Sequence, residues 1–398
     1  MSAAFLIPND KARALILARS GLSGVRESGG AAALAPLIGK LGYVQLDSIR
    51  IVERAHHHIL YARHSAYRPR HLERLQAKTP ALFEHWTHDS SLIPLAHYPH
   101  WHHRFALARS RVALWRERFG DDRVLKTVRD HIAAKGAARA RDFAHLGGRT
   151  GPWWGWGPAK AALEYLWRTG ELAVLQRDGF EKVYDLAERT IPAALREARP
   201  TRRDTLDWAC SSALDRLGAA TPKMLADFWD HASIAEAIKW IERQKKLGDL
   251  IDVTLEGAAD KRSFAAVARP DIASHLDALP TPTTRLRVLS PFDPVLRDRA
   301  RLARIFGFDY AIEIFIPGHK RKFGYYVFPL LEGSRFVGRI DMKAERVNDR
   351  LVVKALWLEP RLSLSQARRI KLDSELARQA RLGDVSEIVF PAAALKQV

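Results

Sequence analysis

Three features of the sequence predict an α+β protein made of tandem winged-helix units followed by a small C-terminal antiparallel β-barrel. A pattern of three helices and a hairpin runs through residues 122–186 and is repeated through 204–268. A fainter copy of the same plan lies in residues 10–53. From about residue 284 the pattern changes to short β-rich runs separated by turns.

In the clearest copy, "DRVLKTVRDHIAAKG" places Val124, Leu125, Val128 and Ile132 at helical spacing. "ARARDFAHLG" reads as a short second helix ended by Gly147 and Gly148. "GPAKAALEYLWRTG" has Pro158 in its first turn and Gly170 as a stop. "ELAVLQRDGFEKVYDL" alternates and turns at Arg177-Asp178-Gly179, a hairpin signal. The next copy follows the same order with "DTLDWACSSALDRLG", "ATPKMLADFWD", "SIAEAIKWIERQKKLG" and the wing "DLIDVTLEGAADKRSFAAV". In the N-terminal copy, "NDKARALILARSG" is a helix with Asn9 available as its cap, and "LIGKLGYVQLDSIRIV" repeats the junction of helix, glycine and strand. The β-rich runs are "RLRVLSPFDPVL", "YAIEIFIP", "FGYYVFPLLE", "RFVGRIDMKAER" and "RLVVKALWLE". "SLSQARRIKLDSELARQARLG" closes as a helix, with "VSEIVFP" as a last strand. Four domains follow: 1–120, 121–200 and 201–276 for the three units, then 277–398, entered through the Pro-rich linker "DALPTPTTR".

The composition narrows the classes of function. Sixty-four Lys plus Arg stand against 45 Asp plus Glu, a net charge of +19 spread along all 398 residues, which favours a polyanion partner. Cys210 is the only cysteine, so neither an intrachain disulfide nor a cysteine-rich zinc site can form. No run of 18 apolar residues suggests a membrane span, and the N-terminus lacks the basic and apolar regions of a signal peptide. A cytoplasmic protein with no membrane partner is the expectation.

One polar pair stands out in an apolar stretch. In "YVQLDSIRIVERAHHH", Gln45 and Asp47 flank Leu46, and a spacing of two puts them on one face of a strand. A carboxylate beside an amide can hold one water, the carboxylate taking its proton and the amide fixing its orientation. Taken alone, such a pair more often faces solvent or completes a local hydrogen bond.

The surrounding residues add a resemblance. "VQLDSIRIVERAHHHILYARH", "FEHWTHDSSLIP", "GPWWGWGPAKAALEYLWRTGELAV", "LSPFDPVLRDR" and "KRKFGYYVFPLLEG" are similar, in order along nearly the whole chain, to the YcaQ-like, AlkZ-related winged-helix DNA glycosylases of crosslink repair. AlkZ-type members carry a second glutamine where this sequence has Asp47, so the resemblance is to the branch with the glutamine–apolar–aspartate motif. It implies hydrolysis of the N-glycosidic bond of N7-alkylated guanine, including bulky adducts and interstrand crosslinks, with Gln45 and Asp47 catalytic and no cofactor. The partner it implies is double-stranded DNA carrying the lesion. A monofunctional enzyme is expected, since no lysine is identifiable as a Schiff-base nucleophile, and a monomer is the expectation for its assembly.

Other residues are candidates for contacts with DNA. Arg50, Arg54 and Arg63 follow the motif and are equally suited to phosphates or to surface ion pairs. The tract "HKRKFG" offers Lys320, Arg321 and Lys322 at what reads as a hairpin tip, and "RIDMK" sets Arg339, Asp341 and Lys343 on one strand face. His88 and Asp89 are candidate cleft residues, and Trp153 and Trp154 suit either base stacking or core packing. The histidines at 56–58, 85 and 88 raise a metal hypothesis, with His85 and His88 sharing a face if they lie on a helix. No HExxH pattern occurs and consecutive histidines diverge, so no metal is expected. A winged-helix regulator without chemistry is the main rival reading, separable by whether free 7-alkylguanine is released from alkylated DNA in EDTA.

Overall fold

The computed structural model describes residues 4–24, 29–78, 81–147 and 156–396. The chain forms two compact units. The larger comprises Met1–Pro69, Thr87–Asp89 and Leu206–Val398, and the smaller Arg70–Trp86 and Ser90–Thr205.

The smaller unit contains the clearest of the sequence patterns. Helix Asp122–Lys135 is capped by Asp121, whose side chain accepts from the Arg123 N–H. A 3₁₀ turn at Ala140–Leu146 follows, then helix Pro158–Arg168 with its proline in the first turn. Val128, Ile132, Phe143, Leu163 and Trp167 from these segments bury a common core. Strands Leu172–Asp178 and Glu181–Leu186 pair antiparallel through a two-residue turn. That turn is Gly179-Phe180, both left-handed at φ 54° and 79°, one residue beyond the expected position. A non-glycine residue there needs support. Phe180 has it in Arg177, which donates to the Phe180 carbonyl at 2.7 Å and lies 4.1 Å over its ring. Strands Leu82–Trp86 and Ser90–Pro94 form a further hairpin.

In the larger unit, helices Arg202–Leu217 (most of it), Pro222–Trp229 and Ile234–Leu247 precede strands Ile251–Leu255 and Phe264–Ala268. Ser233 and Glu236 form a reciprocal capping box at the start of the third helix. Gly257 sits where a Cβ would come within 2.4 Å of the Lys261 carbonyl, so the turn between the strands admits only glycine. Strand Phe5–Ile7, which no sequence pattern marks, adds to this sheet parallel to Ile251–Leu255. Asn9 is not the cap of the first helix. Pro8 occupies that position, and the Asn9 amide instead donates to the carbonyls of Glu256 (3.1 Å) and Ile305 (2.9 Å).

The C-terminal part of the larger unit is a curled half-barrel sheet. Strands Leu286–Val288, Val327–Glu332, Arg335–Glu345 and Arg350–Leu358 are antiparallel in that order. Glu387–Val389 and Leu395–Lys396 then join Arg350–Leu358 in parallel, so the sheet is mixed at this edge. Bulges at Leu330/Leu331 and Asp341/Met342 bend the strands. Gly338 lets two strands close up, since a Cβ there would meet the Trp357 carbonyl at 2.2 Å. Helix Gln366–Gly383 lays Leu372, Leu376 and Ala380 against Phe328, Ile340, Met342 and Leu351.

"YAIEIFIP" is not a strand. It is an irregular segment with a turn closed by the Ile316 N–H on the Glu313 carbonyl. The Glu313 carboxylate then accepts the backbone N–H groups of Lys322 (3.1 Å), Phe323 (2.9 Å) and Gly324 (3.0 Å). These bonds fold "HKRKFG" into a loop with one 3₁₀ turn at Gly318–Lys320, so it is not a hairpin tip.

Candidate active site

The segment bearing Gln45 and Asp47 is fixed at both ends. Helix Leu34–Leu41 ends at Gly42, whose φ of 89° and close approach to Arg216 and Trp229 leave no room for a side chain. Tyr43, Val44, Gln45 and Leu46 are buried in succession. At the other end, Val52 is fully buried in the core of the half-barrel, and the Ile51 carbonyl accepts the Ala344 N–H at 3.1 Å. Strand structure covers only Val44–Gln45, so Asp47 lies beyond it. There Asp47 Oδ1 accepts the Ile49 N–H at 2.7 Å, a turn built by the aspartate itself.

Gln45 is only 6% exposed, and its amide is matched on both sides. Nε2 donates to Asp89 Oδ2 at 3.1 Å, and Oε1 lies 3.1 Å from His88 Nε2. His88 and Asp89 belong to the bend Thr87–Asp89, in which the Thr87 N–H donates to the Asp89 carbonyl at 3.0 Å. The two residues expected as cleft candidates therefore meet the motif directly. Because they sit at a bend after strand Leu82–Trp86, His85 and His88 share no helix face. Among the described residues no three His, Cys, Asp or Glu converge as a metal site.

Burial raises the Asp47 carboxyl above its ordinary range. The Ile49 N–H offsets this in part, and the nearby charge of Asp89 adds to the rise. Burial likewise pushes up the Tyr326 phenol, which lies beside Ser290 and within the field of Asp47. Beside these groups, the Tyr43 ring meets His88, Phe228 and Trp229 edge-on at 5.6, 5.6 and 5.7 Å. Arg297 lies 5.6 Å over the Tyr43 ring and donates to its hydroxyl and to the Phe228 carbonyl. A cleft of about 760 Å³ opens here, with Tyr43, His88, Phe228, Lys223, Arg297 and Arg299 among its walls. The site lies wholly within the larger unit. Sequence reasoning missed Tyr43, Arg297 and Tyr326. Each stands in or beside a stretch that carries the resemblance, but nothing in its spacing marks it as polar lining.

The profile of the AlkZ-like DNA glycosylases matches residues 38–382, which include every group named in this site. The chain belongs to the AlkZ-like DNA glycosylase family. It is also similar to the Streptomyces sahachiroi DNA glycosylase AlkZ, with a TM-score of 0.65 over 100% of both chains at 17% identity, a likeness of fold. As an AlkZ-like glycosylase it is a hydrolase of N-glycosyl bonds in DNA repair, with DNA as substrate.

Several of the residues expected to hold the DNA of this AlkZ-like enzyme have other work. Arg63 is fully buried in a two-bond pair with Asp293 at 2.7 and 2.8 Å and donates further to the Ser20 and Ile59 carbonyls, so it cannot reach a phosphate. Arg339 is likewise buried and engaged within the fold rather than offered to DNA. Its guanidinium lies 4.8 Å from the Phe308 ring and 4.1 Å from that of Phe323, and it donates to Glu359 at 2.8 Å. Arg50 is exposed and holds Glu53 through Nε and Nη2. Arg54 is half-buried, and its backbone N–H also donates to Glu53. Lys320, Lys322 and Lys343 are exposed, whereas Arg321 turns back to the Ile316 carbonyl and the Tyr325 ring. Trp153 and Trp154 lie outside the described residues.

Proposed function

We propose that this AlkZ-like glycosylase hydrolyses the N-glycosidic bond of N7-alkylated guanine in double-stranded DNA, from simple adducts to interstrand crosslinks. The single observation that carries the chemistry is Asp47. It is a partly desolvated carboxylate two residues from an oriented amide, and that amide's partner His88 lines an open cleft. Alkylation at N7 leaves a fixed positive charge on the purine, so the base departs neutral without prior protonation. No general acid is then needed, in contrast to glycoside hydrolysis with two carboxylates. What develops is an oxocarbenium-like sugar. Asp47 stabilises that cation and takes the proton of the attacking water, and Gln45 holds the water beneath C1′. Raising a carboxylate by burial makes it a better proton acceptor at neutral pH.

A crosslinked base is tied to the opposite strand and cannot swing into a closed pocket, as flipped bases do. The openness of the cleft beside Tyr43 and His88 supports the reading for such substrates. Two runs of three helices and a hairpin support tandem winged helices as the DNA-holding frame. Lys223 reaches the cleft wall, but its hydrogen bond to Asp227 raises its pKa and keeps it protonated, which supports monofunctional rather than Schiff-base action.

The test is single-turnover excision of N7-methylguanine and of a nitrogen-mustard crosslink, in EDTA. Wild type should release N7-methylguanine from the first and unhook the second, leaving the adduct on the opposite strand. Asp47→Asn should lose about 10²- to 10⁴-fold, the usual worth of a general base, with folding intact. Near-normal excision by Asp47→Asn would sink the assignment.

A further inference from the structure

Asp89 is required by none of the chemistry above, yet its carboxylate touches the Gln45 amide. Valence decides what that contact means. A carboxylate only accepts hydrogen bonds, so the Gln45 atom facing Asp89 Oδ2 must be the nitrogen. The amide oxygen then faces His88 Nε2 at 3.1 Å, and an amide oxygen also only accepts, so His88 carries its proton on Nε2. His88 Nδ1 is left as the acceptor for the Thr87 hydroxyl, 3.1 Å away. The neutral Nε2–H tautomer fits these contacts when the Thr87 hydroxyl donates to Nδ1 rather than to the Asp89 carbonyl, which it also approaches at 3.4 Å. The bend that presents these three residues is closed by its own Thr87–Asp89 backbone bond, and Tyr43 packs edge-on against the ring.

We infer that Asp89 is a positioning residue that, through the Thr87–His88–Asp89 bend, fixes which way round the Gln45 amide stands, so that Gln45 meets the attacking water as an N–H donor. The inference rests on the reading of Gln45 and Asp47 given above. With its oxygen on His88 and one hydrogen on Asp89, Gln45 has a second N–H to offer. A water that accepts this N–H with one lone pair gives a hydrogen to Asp47 and keeps its other lone pair for C1′. A reversed amide would present an oxygen instead, a second acceptor competing with Asp47 for the water's protons. Asp89 thus makes Asp47 the sole base.

After burial, the charge of the same residue adds to the rise of the Asp47 carboxyl. Among the described residues, the titratable groups coupled to Asp47 include Asp89, from the 87–89 bend, and the Tyr326 phenol, from the half-barrel, which feels the Asp47 charge. Burial and the Asp89 charge both hold the Asp47 carboxyl up. Removing the charge lets it fall, so the acid limb of the pH–rate profile moves to lower pH.

Two measurements test this on the full-length protein. The first is the pH profile of single-turnover N7-methylguanine release for wild type, Asp89→Asn and Asp89→Ala, with DNA affinity measured alongside. Asparagine can still accept the Gln45 N–H but carries no charge. Asp89→Asn should therefore keep more rate than Asp89→Ala and shift its acid limb downward. Asp89→Ala should lose roughly 10- to 100-fold through misplacement of the water, with DNA affinity within about twofold of wild type. The second is ¹⁵N NMR of labelled histidine, with His88 assigned through His88→Gln. It should show the Nε2–H tautomer in wild type and a mixture in Asp89→Ala, whether or not base is released. Wild-type rate and an unmoved acid limb in both Asp89 variants would overturn the inference while leaving the proposed function standing. An Nδ1–H tautomer in wild type would overturn it independently of activity. Absence of excision by wild type, with the Nε2–H tautomer present, would overturn the function and leave the amide geometry standing.

Discussion

Arg63 shows how far a single residue's role is from its place in the sequence. It follows the glutamine–aspartate motif closely enough to suggest a phosphate contact. Its partner Asp293 is 230 residues away, and no local spacing signals the pair. Asp293 also accepts the Val295 N–H and so caps a short helix. Arg63→Ala leaves this carboxylate buried without its counter-charge, and a loss of about 3–5 kcal/mol is expected. Urea denaturation of the variant should show it, while the salt dependence of DNA binding stays that of wild type. A variant of normal stability with weakened DNA binding would restore Arg63 to the DNA surface. Gln45 and Asp47 were legible as a polar pair in an apolar run. What they touch was not, because His88 and Asp89 reach them through the fold and not through spacing.

At the scale of elements, helix Ala55–Arg63 carries a pH dependence of its own. His57 and His58 are buried in it, His57 with its Nδ1 2.7 Å from the Tyr67 hydroxyl and His58 against the Phe328 ring at 5.1 Å. Burial lowers His57 to about 4 and His58 to about 3, from 6.5. Below pH 6.5 the unfolded chain binds protons that the folded chain refuses. Their contribution is therefore complete above that pH and drains as pH falls toward 4, by about 3 kcal/mol for His57 alone. The urea midpoint should fall steeply between pH 6.5 and 4.5, and His58→Phe should flatten the fall. A midpoint constant over that window would show that neither imidazole is held neutral. The elements themselves were legible wherever local chemistry decides, as in Pro158 and the alternating strands of the hairpin Leu172–Leu186. They were illegible where distant pairing decides. Strand Phe5–Ile7 exists because Ile251–Leu255 is there to receive it. "YAIEIFIP" alternates because Ile312 and Ile314 pack on the half-barrel core while Phe315 stays 88% exposed. Alternation reports a buried face, which a loop can supply without a ladder.

For the whole molecule, the net charge of +19 sets the strength of attraction to DNA, and exposure decides which side chains deliver it. Lys320 and Lys322 are exposed, whereas Arg339 is enclosed by two phenylalanine rings. The double variant Lys320→Ala/Lys322→Ala should reduce the slope of log K against log [salt] by about 1 for each phosphate that these lysines neutralise. Arg339→Ala should leave the slope alone and lower stability. An unchanged slope in the lysine variant would remove the loop from the DNA-binding surface.

The larger unit is assembled from stretches far apart in the chain, with most of the smaller unit encoded between them. Ile51 hands its carbonyl to Ala344, and Val52 enters a core completed by Leu372, Leu376 and Ala380. On the ribosome the segment bearing Gln45 and Asp47 emerges early and then waits. The smaller unit has its own core and can close while synthesis continues, as domains generally do. The groups that anchor that segment, Ala344 and the Leu372–Leu376–Ala380 face, are encoded far downstream, so a chain that ends before them is expected to be inactive.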